Sequence, residues 1–239
     1  PVSWASEMCI RDRSQGFSKK VYCIELTIKL SPMPLVVQRK EHGDAQRLYS
    51  EVVDAIQKGN QRLLELTCEK VEDKKITVKQ KNLEIRDYVP ADIQTNKIML
   101  YFHGGGYVIG SIDSHHGWVK YLSSALSMRI ISLNYRLAPE NPFPSALEDA
   151  NDTFEWIKSK LNTPDSDIIV CGDSAGGHLA ASLSTYRMIN NLPMPEIQFL
   201  IYPMIDPECD SDSQKAFSDG LLLNSLDVSK FWSLFQLQL

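Results

Sequence analysis

The chain has 239 residues, of which 43% are hydrophobic and 23% charged, and its formal net charge is −5. This length and composition suit one large globular domain with a real core. The negative balance gives no electrostatic case for binding nucleic acid. No window approaches eighteen apolar residues in a row, so the sequence predicts no membrane-spanning helix.

Five cysteines are scattered along the chain, and no two have a CxxC spacing. Isolated cysteines in odd number indicate free thiols in a reducing compartment, and hence a cytoplasmic protein. The same pattern argues against a disulfide framework and against a zinc site.

The first 13 residues, "PVSWASEMCIRDR", do not fit a signal peptide, because no apolar core follows a basic start. They resemble the translation of a transposase sequencing adapter. We therefore expect residues 1–32 to be a non-native leader (1–13) followed by a tail of uncertain origin, with Met33 as a plausible natural start.

Further along, Asp44 precedes a segment with helical spacing of apolar residues, and two β-type runs follow at 75–79 and 83–88. Buried strands then alternate with amphipathic helices. The predicted strands are 97–102, 129–133, 167–171 and 197–202. Ser145 and Glu148 have the spacing of a capping box at the start of one of these helices.

Such alternation predicts an α/β fold with a mostly parallel sheet covered by helices on both faces. Ligands of these sheets bind beyond the carboxyl ends of the strands. Both glycine-rich segments of the chain follow predicted strands directly, so we expect the functional site there.

The first glycine-rich segment is "FHGGGYVIGS", residues 102–111. Successive glycines let backbone N–H groups approach a ligand closely, which suits stabilisation of a developing oxyanion. A dinucleotide loop is the rival interpretation, because the glycines also fit a GxGxxxG pattern. Two features disfavour it: Asn134 ends the next strand where an acid would be expected, and the helix starts late, near Asp113 or Ser114.

The second segment is "GDSAGG", residues 172–177, between an apolar strand and a helix rich in small residues. G-x-S-x-G alone is a weak signal, but a strand before it and a helix after it are the context of a nucleophile elbow. Ser174 is then the candidate nucleophile, and the N–H of Ala175 at the helix start is a candidate oxyanion donor.

Together these residues resemble the hormone-sensitive-lipase-like family of α/β-hydrolases, also called the family IV esterases. The matching motifs are "HGGGY" (103–107), "YRLAPE" (135–140), "FPSALED" (143–149), "GDSAGG" (172–177) and "LIYP" (200–203). The resemblance implies a serine esterase that uses no metal and no cofactor and acts on small-molecule esters. It implies Ser174 as nucleophile and the N–H groups of Gly105, Gly106 and Ala175 as oxyanion hole.

The same resemblance implies a partial helical cap over the acyl site. Its parts would be N-terminal helices within 33–70 and a segment within 207–235, with the incomplete hydrolase core in 71–239. Leu221, Leu222, Phe231 and Trp232 fit a cap lining and fit core packing equally well. Arg136 and Glu140 would be structural.

A serine nucleophile needs a base, which in this fold follows the serine in the chain order Ser, Asp or Glu, His. Only His178 follows Ser174, and it lies in the same helix, where a polar structural role is the simpler interpretation. We expect His103 to shape the glycine-rich loop, and His115 and His116 to be surface or lid residues. Asp206 precedes a proline, but it follows its strand too early to be the catalytic acid, and no histidine comes after it.

The sequence therefore predicts an esterase lacking its last strands and its catalytic Asp and His, with negligible activity as it stands. We also expect poor solubility, because the strand ending at Tyr202 or its neighbour would be a bare apolar edge. The alternative is a non-catalytic ligand-binding protein of the same fold. A nucleotide-binding α/β domain is a more distant third.

Overall fold

The computed structural model describes residues 21–24, 68–216, 218, 223 and 225–236. Its strands are β1 (Val21–Ile24), β2 (Cys68–Val78), β3 (Lys81–Pro90), β4 (Ile98–Phe102), β5 (Arg129–Asn134), β6 (Ile168–Asp173) and β7 (Ile197–Ile201). Its helices are α1 (His116–Leu126), α2 (Ser145–Lys160), α3 (Ala175–Ile189), α4 (Asp212–Ala216) and α5 (Ser225–Phe235). None of them, in the part of the chain described, is long and apolar enough to cross a bilayer.

The strands form one seven-stranded sheet in the order β1-β7-β6-β4-β5-β3-β2. Five strands run parallel to one another, namely β1, β7, β6, β4 and β5. The strands β3 and β2 are antiparallel additions at one edge. The mostly parallel α/β fold predicted from the alternating pattern is confirmed.

Both faces of the sheet are covered. Successive side chains of a strand point to opposite faces, so each central strand contributes to two buried clusters. On β4, Leu100 and Phe102 belong to one buried cluster and Met99 and Tyr101 to another. The first cluster includes side chains of α2, α3 and α5, and the second includes side chains of α1. Trp232 of α5 is buried in the first cluster, so core packing accounts for it.

The register of the central strands places the two glycine-rich segments side by side. Phe102, the last residue of β4, pairs with Gly172 near the end of β6. Each strand runs straight into its own loop: residues 103–110, called the glycine loop below, and residues 172–176, called the serine turn. The sheet therefore brings together two segments that are about seventy residues apart in sequence.

The edge of the sheet differs from expectation. The strand that ends beside Tyr202 is not bare, because β1 pairs with β7 along four residues, from Val21↔Gln198 to Ile24↔Ile201. Main-chain groups of β7 that would face solvent are thus bonded to β1. This strand lies within the residues that we expected to be leader and tail.

Two helix starts also differ from expectation. A turn occupies residues 112–115, so α1 begins at His116 and not at Asp113 or Ser114. The capping box is wrong: α2 begins at Ser145 with Pro144 as its N-cap, and no side chain caps it. Glu148 instead accepts hydrogen bonds from Lys81 (2.8 Å) and Arg136 (3.1 Å).

Candidate active site

Ser174 lies at the N-cap of α3 in a backbone conformation that L-residues rarely adopt, with φ 51° and ψ −117°. Its neighbours explain how the turn is accommodated. A Cβ on Gly172 would overlap backbone atoms of Gly176, and a Cβ on Gly176 would overlap the carbonyl oxygen of Phe102. Only glycine allows the strand, the turn and the helix to approach this closely.

Backbone hydrogen bonds hold the strained residue. The N–H of Ser174 donates to Ile201 O (2.9 Å), and its carbonyl accepts from the N–H groups of His178 (3.0 Å) and Met204 (2.9 Å). The half-buried Ser174 hydroxyl itself has no hydrogen-bond partner among the described residues. The backbone is fixed, while the side chain carries no internal bond that a substrate would need to break.

The glycine loop turns sharply beside the serine turn. Gly105 has φ 124°, Gly106 has φ 61°, and Gly105 O accepts hydrogen bonds from the N–H groups of Val108 (3.0 Å) and Ile109 (2.9 Å). Within residues 68–216 and 225–236, the N–H groups of Gly105, Gly106 and Ala175 donate no hydrogen bond. Unpartnered N–H groups near a strained serine are what an oxyanion hole requires.

The side chain of Asp173 joins the two loops. It is 7% exposed, and its Oδ1 accepts hydrogen bonds from Tyr101 Oη (2.6 Å) and from the N–H of Gly104 (3.1 Å). His115 Nε2 donates to Oδ2 (3.4 Å). Burial acts to raise the pKa of Asp173, but these donors outweigh it and hold the pKa below its usual value.

His115 was expected at the surface or in a lid, and that expectation is wrong. Its side chain is 21% exposed and turns inward to Asp173. His116 is half-buried, and a hydrogen bond joins its Nδ1 to Tyr88 Oη (3.1 Å). Sequence reasoning missed these contacts, and the only available signal was the position of His115 just after a loop that follows a buried strand.

His103 contacts and supports the glycine loop, as expected. It is fully buried, its ring stacks on Tyr135 with centroids 4.3 Å apart, and its Nδ1 donates to Gly104 O (2.8 Å). Burial lowers the pKa of His103 to about 4. It is therefore neutral at physiological pH.

His178 is held away from the role of base. A hydrogen bond joins its Nδ1 to Tyr107 Oη (2.7 Å), and its ring packs edge-on against Trp232, with centroids 5.1 Å apart. Its Nε2 lies 3.4 Å from Ser182 Oγ, and burial lowers the pKa of His178 to about 4. Neither ring nitrogen bonds to Ser174, so the interpretation as a polar helix residue fits its contacts.

Helix α5 lies over the glycine loop. The ring of Phe231 rests on Gly106 where a side chain would otherwise be, and Phe235 stacks on Tyr107 with centroids 4.0 Å apart. The N–H of Phe143 donates to Phe235 O (3.0 Å), which ties the end of α5 to the segment before α2. This end of the predicted 207–235 segment therefore packs directly on the candidate oxyanion hole.

Arg136 binds the buried Asp149 through Nε (3.0 Å) and Nη2 (2.8 Å), away from Ser174, so its role is structural. Glu140 is exposed. Asp206 Oδ1 accepts a hydrogen bond from the N–H of Glu208 (3.0 Å), a local turn contact. Among the described residues, no three His, Cys, Asp or Glu side chains are grouped so as to hold a metal ion.

Two families match different parts of the chain. A model described as alpha/beta hydrolase fold matches residues 99–238, more than half of the chain, and a model of the UPF0367 protein family matches residues 23–84. A UPF0367 protein of Prochlorococcus marinus is 83% identical over 58 residues, which are 24% of this chain and 67% of that protein. Residues 33–70, expected to be cap helices, fall inside this second match, and only 68–70 of them are described, as part of β2.

Over the hydrolase part, an ethyl acetate hydrolase of Pseudomonas putida is 36% identical over 138 residues, covering 56% of this chain and 43% of that protein. The solved structure of a hyperthermophilic esterase from Pyrobaculum calidifontis is similar with a TM-score of 0.66 and 29% identity, covering 78% of this chain and 64% of that one. The chain thus spans less than two thirds of these esterases. It belongs to the α/β hydrolase fold family, as residues 99–238 show, and carries a UPF0367 segment before the hydrolase part.

Proposed function

We propose that the protein is a carboxylic ester hydrolase that acts through Ser174. The observation that carries this proposal is the meeting of two loops at one edge of the sheet. Ser174 occupies a strained turn, and three N–H groups that donate to no group of the described residues lie on the glycine loop and at the start of α3. The two relatives named above for the hydrolase part are an ethyl acetate hydrolase and an esterase, so we expect a small-molecule ester as substrate.

In this mechanism, Ser174 Oγ attacks the ester carbonyl carbon and the carbonyl oxygen gains negative charge. The N–H groups of Gly105, Gly106 and Ala175 stabilise that charge, and a donor of this kind typically contributes about 3–4 kcal/mol to the transition state. The alcohol leaves, an acyl-enzyme remains on Ser174, and water hydrolyses it.

The proton of Ser174 needs an acceptor, and the described residues offer none in contact with it. His178 is bonded to Tyr107, His115 to Asp173, and His103 to Gly104 O. Losing a member of a catalytic triad costs about 10⁶ in kcat, roughly 8 kcal/mol. We therefore propose that the chain turns esters over far more slowly than an intact triad would, and retains only the roughly 10³–10⁴-fold acceleration that an oxyanion hole and binding supply without a base.

The same lack of a base favours the second candidate, a non-catalytic protein that binds a ligand in this fold. The two candidates differ in whether Ser174 is reactive. A pocket that only binds a ligand has no need for a serine in a strained turn, which is why the hydrolase is our first choice. We also propose a cytoplasmic location, because Cys171 and Cys209 are both free.

Diethyl p-nitrophenyl phosphate separates the two candidates. It phosphorylates a reactive serine with release of p-nitrophenolate, and the adduct is stable, so even slow reaction accumulates over hours. We expect one adduct per chain by intact mass, mapped to Ser174, absent in Ser174→Ala and unchanged in Ser182→Ala, which lies two turns along the same helix. No adduct in the unmodified chain would favour the non-catalytic candidate, and equal labelling of Ser174→Ala would contradict the assignment of the reactive group to Ser174.

A further inference from the structure

We propose that Asp173 is a positioning residue that fixes the glycine loop relative to Ser174; this inference rests on the function proposed above. Asp173 is the last residue of β6 and is bonded covalently to Ser174. Its carboxylate is therefore the buried polar group nearest in sequence to the candidate nucleophile.

The carboxylate collects donors from three separate elements. Tyr101 is on β4, Gly104 is in the glycine loop, and His115 is in the turn before α1. The bond to the Gly104 N–H sets the plane of the peptide that begins the glycine loop. Because Gly105 and Gly106 follow at once, the direction of their N–H groups depends on where this first peptide is held.

Close packing and hydrogen bonds restrain the start of the glycine loop. A Cβ on Gly104 would overlap Asp173 Oδ2, and Gly104 O is itself bound by His103 Nδ1. Tyr135 Oη also donates to His103 O (2.6 Å). The peptide between His103 and Gly104 is thus held at its N–H by Asp173 and at its carbonyl by Tyr135, and the next carbonyl along the loop is held by the His103 ring.

His115 links the Asp173 carboxylate to the residues that follow the glycine loop. Its Nε2 reaches Asp173, and its Nδ1 bonds to Ser114 Oγ (2.9 Å) in the turn that follows the loop. A carboxylate without donors at this place would oppose the negative charge that develops on the substrate. Three donors compensate the charge of Asp173, so it can orient the N–H groups without repelling the oxyanion.

A purely structural role is the competing explanation, and Asp87 provides the matched control. Asp87 is also buried, at 2% exposure, and also holds donors from other strands, with Arg129 Nε at 2.8 Å and Nη2 at 2.7 Å. It lies on β3, which is separated from β6 by β5 and β4. A general loss of a buried carboxylate is therefore separable from a loss at the serine turn.

The experiment compares the full chain with Asp173→Asn and Asp87→Asn at matched global stability. One readout is the rate of adduct formation at Ser174 with diethyl p-nitrophenyl phosphate. The other is hydrogen exchange of the Gly104 amide in ¹⁵N-glycine-labelled protein. For Asp173→Asn we expect adduct formation to slow by about 10²-fold, the effect of a misplacement of roughly 1 Å, and Gly104 exchange to quicken about tenfold. Asp87→Asn should leave both rates unchanged.

Unchanged rates in Asp173→Asn, or equal changes in both variants, overturn the proposal. If the unmodified chain forms no adduct, the proposed function fails, and Gly104 exchange alone then decides the positioning role. If Asp173→Asn does not fold, Tyr101→Phe takes its place, because it removes one donor and keeps the carboxylate. A tenfold slower adduct with faster Gly104 exchange then supports the proposal, and unchanged rates overturn it.

Discussion

The sheet is held in different ways at the serine turn and at the β2–β3 hairpin. At the serine turn, backbone atoms of β4, β6 and α3 are in direct contact, and Gly172 and Gly176 leave no room for a side chain. At the hairpin, long and exposed side chains reach across to α2. Lys79 bonds to Asp152 (2.7 Å) and Lys81 to Glu148 (2.8 Å).

This difference predicts opposite tolerance to mutation. A backbone contact has no side chain that can rotate to relieve a clash, so one added methyl group forces strands or helices apart. Each of these ion pairs uses a flexible lysine that is at least partly exposed, so the loss of one pair changes the free energy of unfolding little. The hairpin thus joins the sheet edge through side chains that can reorient, whereas close backbone contacts fix the serine turn, as the proposed positioning of N–H groups requires.

The largest expected effect is at Gly176. Gly176→Ala places a Cβ on the carbonyl oxygen of Phe102, and we expect it to lower the free energy of unfolding by more than about 3 kcal/mol. Gly177→Ala is the matched control in the same helix, since its Cβ would meet Gly172 O at 3.0 Å. It should change stability by no more than about 1 kcal/mol, because the helix propensity of alanine offsets the tight contact. Urea unfolding of both variants checks this, and equal losses would contradict it.

Arg187 tests whether the burial of an ion pair, rather than its charge, decides how much its loss lowers the free energy of unfolding. Its side chain is fully buried and donates to Pro193 O, Asn151 Oδ1 and Glu155 Oε1, each at 2.6 Å. We expect Arg187→Met to lower the free energy of unfolding by about 3 kcal/mol, because it leaves these acceptors without their donor. Arg187→Lys keeps the charge but loses the planar guanidinium, so its free energy of unfolding should lie between those of the unmodified chain and Arg187→Met. A loss below about 1 kcal/mol for Arg187→Met would mean that buried and exposed pairs here are alike.

The pH dependence of stability separates the two regions in another way. His103 and His178 both lie at the serine-turn edge, and burial lowers the pKa of each to about 4. The unfolded chain binds protons at these histidines near pH 6.5 and the folded chain does not, so stability falls as the pH drops from about 6.5 to 4. The loss is up to about 3 kcal/mol per histidine at pH 4.

Glu148, which pairs with the hairpin from α2, loses its proton at lower pH than the histidines of the unfolded chain do. Lys81 and Arg136 hold the pKa of Glu148 below its usual value, so its contribution is lost only at more acidic pH. Urea unfolding at several pH values between 7 and 4 should show a free energy of unfolding that falls with pH, and His178→Asn should make this fall less steep. An unchanged slope in that variant would contradict the assignment of the acid sensitivity to His178.

The smallest expected effect is at the hairpin itself. Lys79→Ala and Lys81→Ala should each cost less than about 1 kcal/mol, because Lys79 is largely exposed, Lys81 is partly exposed, and solvent weakens both ion pairs. The double variant should cost more than the sum, since Asp152, 2% exposed, would then lose both cations. Urea unfolding of the four proteins gives the coupling energy, and simple additivity would contradict a shared role at Asp152.

The sequence predicted the strands and helices around the site closely, because their signals are local. Apolar runs and helical spacing located β4, β5, β6, α2 and α3 to within a few residues. The start of α1 and the cap of α2 were predicted wrongly for a physical reason. The turn at 112–115 and the pairing of Glu148 with Arg136 and Lys81 depend on contacts with other elements.

By itself, the sequence determined which residues are the candidates for chemistry. Glycines flank Ser174 because a tight turn needs them, and three more glycines follow β4, where a backbone without side chains suits the proposed approach to a ligand. Only the tertiary structure decided how these pieces are held. Asp173 receives Tyr101 from 72 residues away and His115 from 58 residues away, and β1 pairs with β7 across almost the whole chain. Contacts between distant residues leave no periodic or local pattern, since they arise only when the sheet brings the strands together.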